Sequence, residues 1–448
     1  MQENNALARQ FTLSSLMRFA LPNIIMMVFL SMYTIVDGMF ISRYVGTLAL
    51  SAVNMTFPLN CLEMALGIML ASGGSAVIAR QLGEGDEATA RHNFSFLLVV
   101  SVGISLVFLL AGVFTLDPII HALGASEAQF ALCRTYARIL LLFAPAFFLQ
   151  TAFQTLFITA GRPGLGLVAT VGGGLTNIVL DYVFIARLHW GIAGAAIATG
   201  LCYLVPAVVG LVFFSLNRRG TLFFVRPRTD WRMLLFACAN GSSEMVTNIA
   251  NAITTYLFNL IFLHYWGEDG VASITIVLYF QFVFTAVFFG FSMGVAPVFS
   301  FKYGAQDAPQ LRQLFRYCIG FVILCSVCCT GLSLAVIRPC LALFTDAGSH
   351  VFAITIEGFP LYAISFLFMG VSIFASSLFT AFSDGRVSAI ISFARTLVFL
   401  VGMLLLLPLL LGETGVWLAV PVAEILGIAV SIYYLVRLRG VYRYGALN

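Results

Sequence analysis

Twelve long apolar runs, each bounded by charged or Pro/Gly breaks, constrain this chain more than any other feature. A helix rising 1.5 Å per residue needs about 20 mainly apolar residues to cross a bilayer. The runs lie near 15–42, 48–79, 93–115, 129–160, 166–187 and 191–216, then 232–263, 271–300, 314–337, 351–382, 386–410 and 414–436. Hydrophobic residues make up 61% of the chain and charged residues 9%, against roughly 45–50% and about 25% in soluble domains. A soluble fold of 448 residues cannot cover its surface with so few charges. The expected fold is an all-α polytopic membrane protein with twelve transmembrane helices. A soluble enzyme is excluded. The net charge of +4 is spread too thinly to make a basic face, so nucleic acid is excluded as a partner.

The chain also repeats itself. A shift of 221 residues places Gly46 on Gly267, Gly73 on Gly294, Gly83 on Gly304, Gly164 on Gly385, Gly191 on Gly412 and Gly194 on Gly415, with Arg91 on Arg312 and Pro118 on Pro339. Against these six glycine coincidences, chance pairing of 21 glycines with 18 gives about two, so the chain reads as a fused duplication. Each copy has an even number of spans, so both insert the same way up, as two six-helix lobes related by a pseudo-two-fold axis along the membrane normal. The expected units are an amino-terminal lobe, 1–216, a basic linker, 217–231, and a carboxy-terminal lobe, 232–448. Seventeen Lys/Arg fall on the side of both termini and five on the other, which puts both termini in the cytoplasm. The segment ahead of Ser14, with Glu3 and Arg9, carries no pattern of a removable signal peptide.

Ionisable groups inside spans are costly, and they face a cavity or a partner. Asp37, Glu63, Asp181, Glu244, Glu357, Arg395 and Glu424 fall there. Six acids against one base favour cations and protons over anions. Asp37 lies some 33 Å above Ser15 and Asp181 about 22 Å above Gly166, so both reach the outer part of the first lobe. Asn177 shares a helical face with Asp181, and Gly172, Gly173 and Gly174 keep that helix slender. Two acids brought together in a poorly solvated pocket cannot both stay ionised. Such a pair can load and release a proton, or hold sodium when both are deprotonated. The plainer alternative is that they only bond neighbouring hydroxyls such as Tyr33 or Thr199. Glu244, about 18 Å into its span and flanked by Asn240, Ser242, Ser243 and Asn248, reads as a substrate or cation contact of the second lobe or as an acid bonded to those neighbours. Arg395 and Glu424, at similar depth in adjacent spans, read as a structural ion pair. Glu63 and Glu357 receive no role.

Most of the nine cysteines, including Cys61, Cys202, Cys318, Cys325, Cys328 and Cys329, sit in apolar stretches and read as small hydrophobes. Histidines cluster at span ends, and no phosphate loop, metal motif or nucleophile elbow occurs. No cofactor, no resident metal and no enzymatic activity are expected. Some of the 43 Phe and 14 Met suit a cavity for large apolar cations.

Four stretches in order, VDGMFISRYVG at Val36–Gly46, GGSAVIARQLGEGD at Gly73–Asp86, NIVLDYVFIARLHWGIAGAAIAT at Asn177–Thr199 and PVAE ending at Glu424, resemble the multidrug and toxic compound extrusion (MATE) transporters, over essentially the whole chain. The resemblance is strongest to the bacterial DinF-like and MepA-like branches. It implies a secondary antiporter of the bacterial inner membrane, monomeric, exporting organic cations and other amphipathic compounds against inward H⁺ or Na⁺ by alternating access. It also implies that Asp37 and Asp181 belong to the coupling-ion site, that Asn177, Tyr136 and Thr199 fall where supporting polar residues fall, and that Na⁺ would be held by Asp37, Asn177, Asp181 and Thr199. Gln154 stands where the family has Asn. Glu244 matches a seventh-helix acid of other branches, whereas their tenth-helix Asp has no counterpart among Ser365–Ser377. A flippase for lipid-linked saccharides is the alternative, but it would call for more basic residues within the spans than Arg395.

Overall fold

In the computed structural model, which describes residues 6–346 and 348–445, the apolar runs are helices and short polar side chains start many of them. Glu3 and the rest of 1–5 lie outside the described residues. The first half comprises α1 (Leu13–Phe40), α2 (Thr47–Gly83), α3 (Glu87–Ala122), α4 (Glu127–Leu142), α5 (Ala144–Thr159), α6 (Pro163–Asp181) and α7 (Gly191–Leu216). The second comprises α8 (Trp231–Asn240), α9 (Ser242–Gly304), α10 (Ala308–Phe344), α11 (His350–Ala363), α12 (Phe366–Ala381), α13 (Gly385–Phe393), α14 (Leu400–Leu411) and α15 (Glu413–Arg437). No strand occurs among the described residues. Thr12 and Ser15 form a capping box before α1, and Asp86 and Asp307 cap α3 and α10, satisfying amides that the first turn of a helix leaves free.

Fifteen α-helices make twelve spans because several runs break inside the membrane. α4 and α5 form one span bent by 55°, and α11 and α12 one bent by 49°. α9 is two helices joined at Gly267 (φ 64, ψ −149). The seventh run, read as continuous over 232–263, breaks at Gly241 between α8 and α9.

The breaks obey the repeat. Gly46 (φ 116) and Gly267 (φ 64) turn the chain between the first two spans of each half, and Gly191 (φ 58) and Gly412 (φ 60) between the last two. Only a residue without Cβ adopts such φ freely. The bend at Phe143 has its mate at Ile364, and the caps Asp86 and Asp307 are mates as well, all at the same 221-residue shift.

Both termini reach the same end. Lys302 Nζ donates to Ala8 O (3.1 Å) and Arg443 to Gln306 Oε1 (3.0 Å), so the two ends of the chain flank the α9–α10 turn. At this end and towards the middle the halves approach backbone to backbone. A Cβ added to Gly73 would lie 1.9 Å from Ala237 O, one on Gly83 2.0 Å from Phe301 O, and one on Gly304 2.2 Å from Arg80 O. Asn23 Nδ2 donates to Gly290 O at 2.5 Å nearby. The connecting segment is folded rather than loose: Val225 N donates to Ser95 Oγ (3.0 Å) and Arg91 Nε to Thr221 O (2.9 Å).

Candidate functional site

The site begins with three places where an α-helix widens by one residue per turn. π-helical turns occupy Ile41–Val45, Tyr182–Arg187 and Ala394–Phe399. Such turns leave main-chain groups imperfectly bonded and recur at functional positions. Asp37 lies one turn before the first, its carbonyl accepting from Ile41 N, and Asp181 immediately precedes the second. Arg395 lies inside the third. No periodicity in the sequence announces these turns.

The glycine triplet brings α6 against its neighbours. A Cβ on Gly174 would meet the Phe29 ring of α1 at 2.4 Å, and one on Gly173 would meet Cys202 O of α7 at 2.7 Å. With α1 and α7 that close, the side chains of Asp37 and Asp181 are close enough to interact electrostatically. Asp181 and Asn177 are fully buried, and Asp37 is half-buried. Neither Asp181 oxygen, nor either end of the Asn177 amide, nor Asp37 Oδ1 finds a hydrogen-bond partner elsewhere among the described residues. Neither Asp181 oxygen nor Asp37 Oδ1 takes a hydrogen bond from a hydroxyl such as that of Tyr33 or Thr199. Two neighbouring carboxyls in a poorly solvated pocket disfavour ionisation of both.

Weakly polar groups lie on the helices that flank the pair. Tyr136 is buried and within electrostatic range of both acids. Cys202 Sγ lies against α6, 3.6 Å from a Cβ built on Gly173, and within electrostatic range of Asp37 and Asp181, which places that cysteine at the site. Thr199 is buried and spends its hydroxyl proton on Ala195 O (3.0 Å), leaving only oxygen lone pairs to offer. Gln154 is not brought to the pair. Its Nε2 donates to Thr170 Oγ1 (3.3 Å), which bonds Met26 Sδ, and Thr170 lies eleven residues, about 16 Å, along α6 from Asp181.

In the second half Glu244 is buried with Ser243 Oγ donating to it at 2.5 Å, and Ser72 and Thr380 also bond it. Thr380, Ser388, Ser376 and Ser392 continue as one chain of hydroxyls 2.8–2.9 Å apart. Asn240 and Asn248 bond main-chain carbonyls, of Thr380 and of Glu244, at 2.8 Å. Arg395 Nε meets both Glu424 oxygens, at 3.0 and 2.9 Å, as a buried pair in mid-span. All nine cysteines, Cys325 and Cys328 included, are free, and no group of three or more His, Cys, Asp or Glu arranged for a metal occurs among the described residues.

Two duplicated helical bundles in contact, with unpaired acids held inside one of them, define a membrane transporter of two lobes rather than an enzyme. The chain belongs to the MatE family, whose model matches it twice, over 22–183 and 245–405, once in each copy of the repeat. Its relatives include the multidrug export protein MepA of Staphylococcus saprophyticus, 24% identical over 433 residues and covering 94% of this chain and 93% of that one. MepA of Staphylococcus aureus is 24% identical over 437 residues, covering 94% of each. Among solved structures the fold superposes on a MATE family multidrug resistance transporter of the MOP superfamily in an outward-facing conformation, with TM-score 0.92, 22% identity and 99% of both chains covered. It also superposes on a MOP superfamily transporter from Pyrococcus furiosus, with TM-score 0.89, 22% identity, 99% of this chain and 98% of that one.

Proposed function

We propose that this chain is a secondary antiporter that exports organic cations and amphipathic drugs in exchange for H⁺ or Na⁺, with the Asp37/Asp181 pair as the ion-coupling site. The observation that carries this reading is two neighbouring carboxyls, three of whose four oxygens are buried without a hydrogen-bond partner among the described residues. Loading a proton or Na⁺ neutralises the pair, weakens its hold on a cationic substrate and changes the packing of α1 against α6. Asn177 and Thr199 supply further oxygens to the ion, Tyr136 walls the site, and Glu244 offers a contact in the second lobe. Lobes 1–216 and 232–448, joined by the basic linker 217–231, rock to expose the site to alternate sides. The close glycine contacts at the termini end support an outward-open state, with both termini cytoplasmic as the Lys/Arg bias requires. The two MepA relatives, both named for multidrug export, support the substrate class. One charge crossing 100 mV supplies about 2.3 kcal/mol, enough for roughly a 50-fold gradient.

The test is ion-driven efflux of ethidium from energised vesicles. Asp37→Asn and Asp181→Asn each abolish efflux while leaving the protein folded; full efflux in either would exclude that carboxyl as an obligatory carrier. Efflux in sodium-free buffer, with and without a pH gradient, separates H⁺ from Na⁺.

A further inference from the structure

The first lobe buries a third acid that the coupling pair does not use. Glu63 of α2 is 7% exposed, and its Oε1 is sealed from solvent without a hydrogen-bond partner. A buried carboxyl left unpaired for packing alone is expensive. Packing places Tyr203 of α7 beside it: the Tyr203 ring meets Phe147 edge-on (5.1 Å between centroids), Phe147 lies 3.5 Å from a Cβ built on Gly67, one turn beyond Glu63, and Tyr203 is within electrostatic range of Glu63, Tyr33, Tyr136 and Cys202. Tyr33 in turn is one turn from Asp37 and within its electrostatic range.

Depth gives this chain of groups a direction. The turn at Gly46 joins α1 to α2, with Asp37 nine residues before it and Glu63 seventeen after it. At 1.5 Å per residue Glu63 lies about 12 Å deeper than Asp37, towards the termini end. Tyr33 lies between the two levels.

We propose that Glu63 is the inner proton station of the amino-terminal lobe, taking the proton loaded at Asp37/Asp181 through the hydroxyls of Tyr33 and Tyr203 and passing it towards the termini side. The proposal rests on the coupling reading of the aspartate pair. In the transfer the pair gives up one proton and the Glu63 carboxylate gains one. Each phenol accepts one proton and releases one, ending as it began.

The groups that face this path are few. α1 contributes Tyr33 and Asp37, α4 Tyr136, α6 Asp181, and α7 Cys202 and Tyr203. Cys61 lies on α2 itself, α5 carries no titratable side chain, and α3 carries none between Ser95 and Thr115. On α9 the nearest acid, Glu244, bonds Ser72, nine residues or about 13 Å further along α2.

The experiment compares two modes of transport in proteoliposomes with ethidium as probe. Glu63→Gln retains ethidium–ethidium exchange without a gradient, yet loses pH-gradient-driven efflux by about a hundredfold or more, the range of a lost proton-transfer group. Glu63→Asp, which keeps the carboxyl, recovers most of that efflux. Gradient-driven efflux at the wild-type rate in Glu63→Gln overturns the proposal, and so does loss of exchange together with efflux in both variants, which marks a packing role. Asp37→Asn run in parallel separates the two readings. If Asp37→Asn keeps gradient-driven efflux, the coupling site itself is wrong and the station falls with it. If Asp37→Asn is inactive and Glu63→Gln is fully active, only the station falls.

Discussion

Single side chains divide here into those that find partners and those that do not, and the proposed roles follow that division. Arg395 and Glu424 neutralise one another, the one Nε–H shared between both carboxylate oxygens, so neither is free to take an ion. Removing one member of such a pair strands a charge in the membrane, at a cost of about 3–5 kcal/mol, whereas replacing both with apolar residues of similar volume is close to neutral. Glu424→Leu should therefore lower the thermal unfolding midpoint in detergent markedly, and Arg395→Met with Glu424→Leu should restore it. A double variant no more stable than the single would show that the pair does more than neutralise itself. Among the described residues Asp37, Asp181 and Glu63 have no such basic partner. The candidate acids were legible from their placement in apolar runs, because a charge there needs an explanation whatever the fold. Their sorting was only partly legible. Cys202, a small hydrophobe by composition, lies against the glycine triplet within electrostatic range of both aspartates, and Gln154 belongs to a different level of the same lobe.

Helix beginnings show how local chemistry and the repeat agree. Asp86 accepts from Thr89 N at 3.0 Å, and Asp307, its mate in the second half, from Gln310 N at 3.3 Å. Both stand at turns between spans. Hydrogen bonds from the Thr89 side chain and amide hold the exposed Asp86 carboxyl below its usual range. A carboxyl held low in the folded state stabilises above its unfolded value, near pH 4, and loses that contribution as pH falls through the folded value. Asp86→Ala should cost about 1 kcal/mol at neutral pH, and its deficit in thermal midpoint should shrink on acidification. A deficit that is independent of pH would assign the loss to something other than the charged cap. Span existence was readable at this scale, but span continuity was not. The runs 129–160, 232–263 and 351–382 are unbroken in hydropathy, yet each is interrupted, at Phe143, Gly241 and Ile364–Ser365. Apolar content reports only that a segment suits lipid. Whether it bends depends on what packs against it.

At the scale of the whole molecule, two bundles meet where glycines let backbones touch. Gly83 against Phe301 and Gly304 against Arg80 make a reciprocal contact between α2 and α9 at the termini end. A side chain there must push the bundles apart, and overpacking of this kind costs about 1–3 kcal/mol. Gly83→Val should bias the transporter away from the arrangement closed at that end. Spin labels on the α2–α3 and α9–α10 turns would report a longer distance than in the unsubstituted protein. An unchanged distance would show that the contact does not hold the closed state.

What the sequence by itself determined is the part governed by solvent and by repetition: twelve membrane spans, two like lobes, and acids too costly to bury without purpose. Those follow from the free energy of placing each residue in lipid, which is a property of the residue and its near neighbours. What only the tertiary structure decided is who meets whom. The approach of α1, α6 and α7 around a glycine triplet, the three π turns, the bends within continuous runs and the isolation of Glu63 are set by contacts between helices far apart in the chain, and no local pattern encodes them.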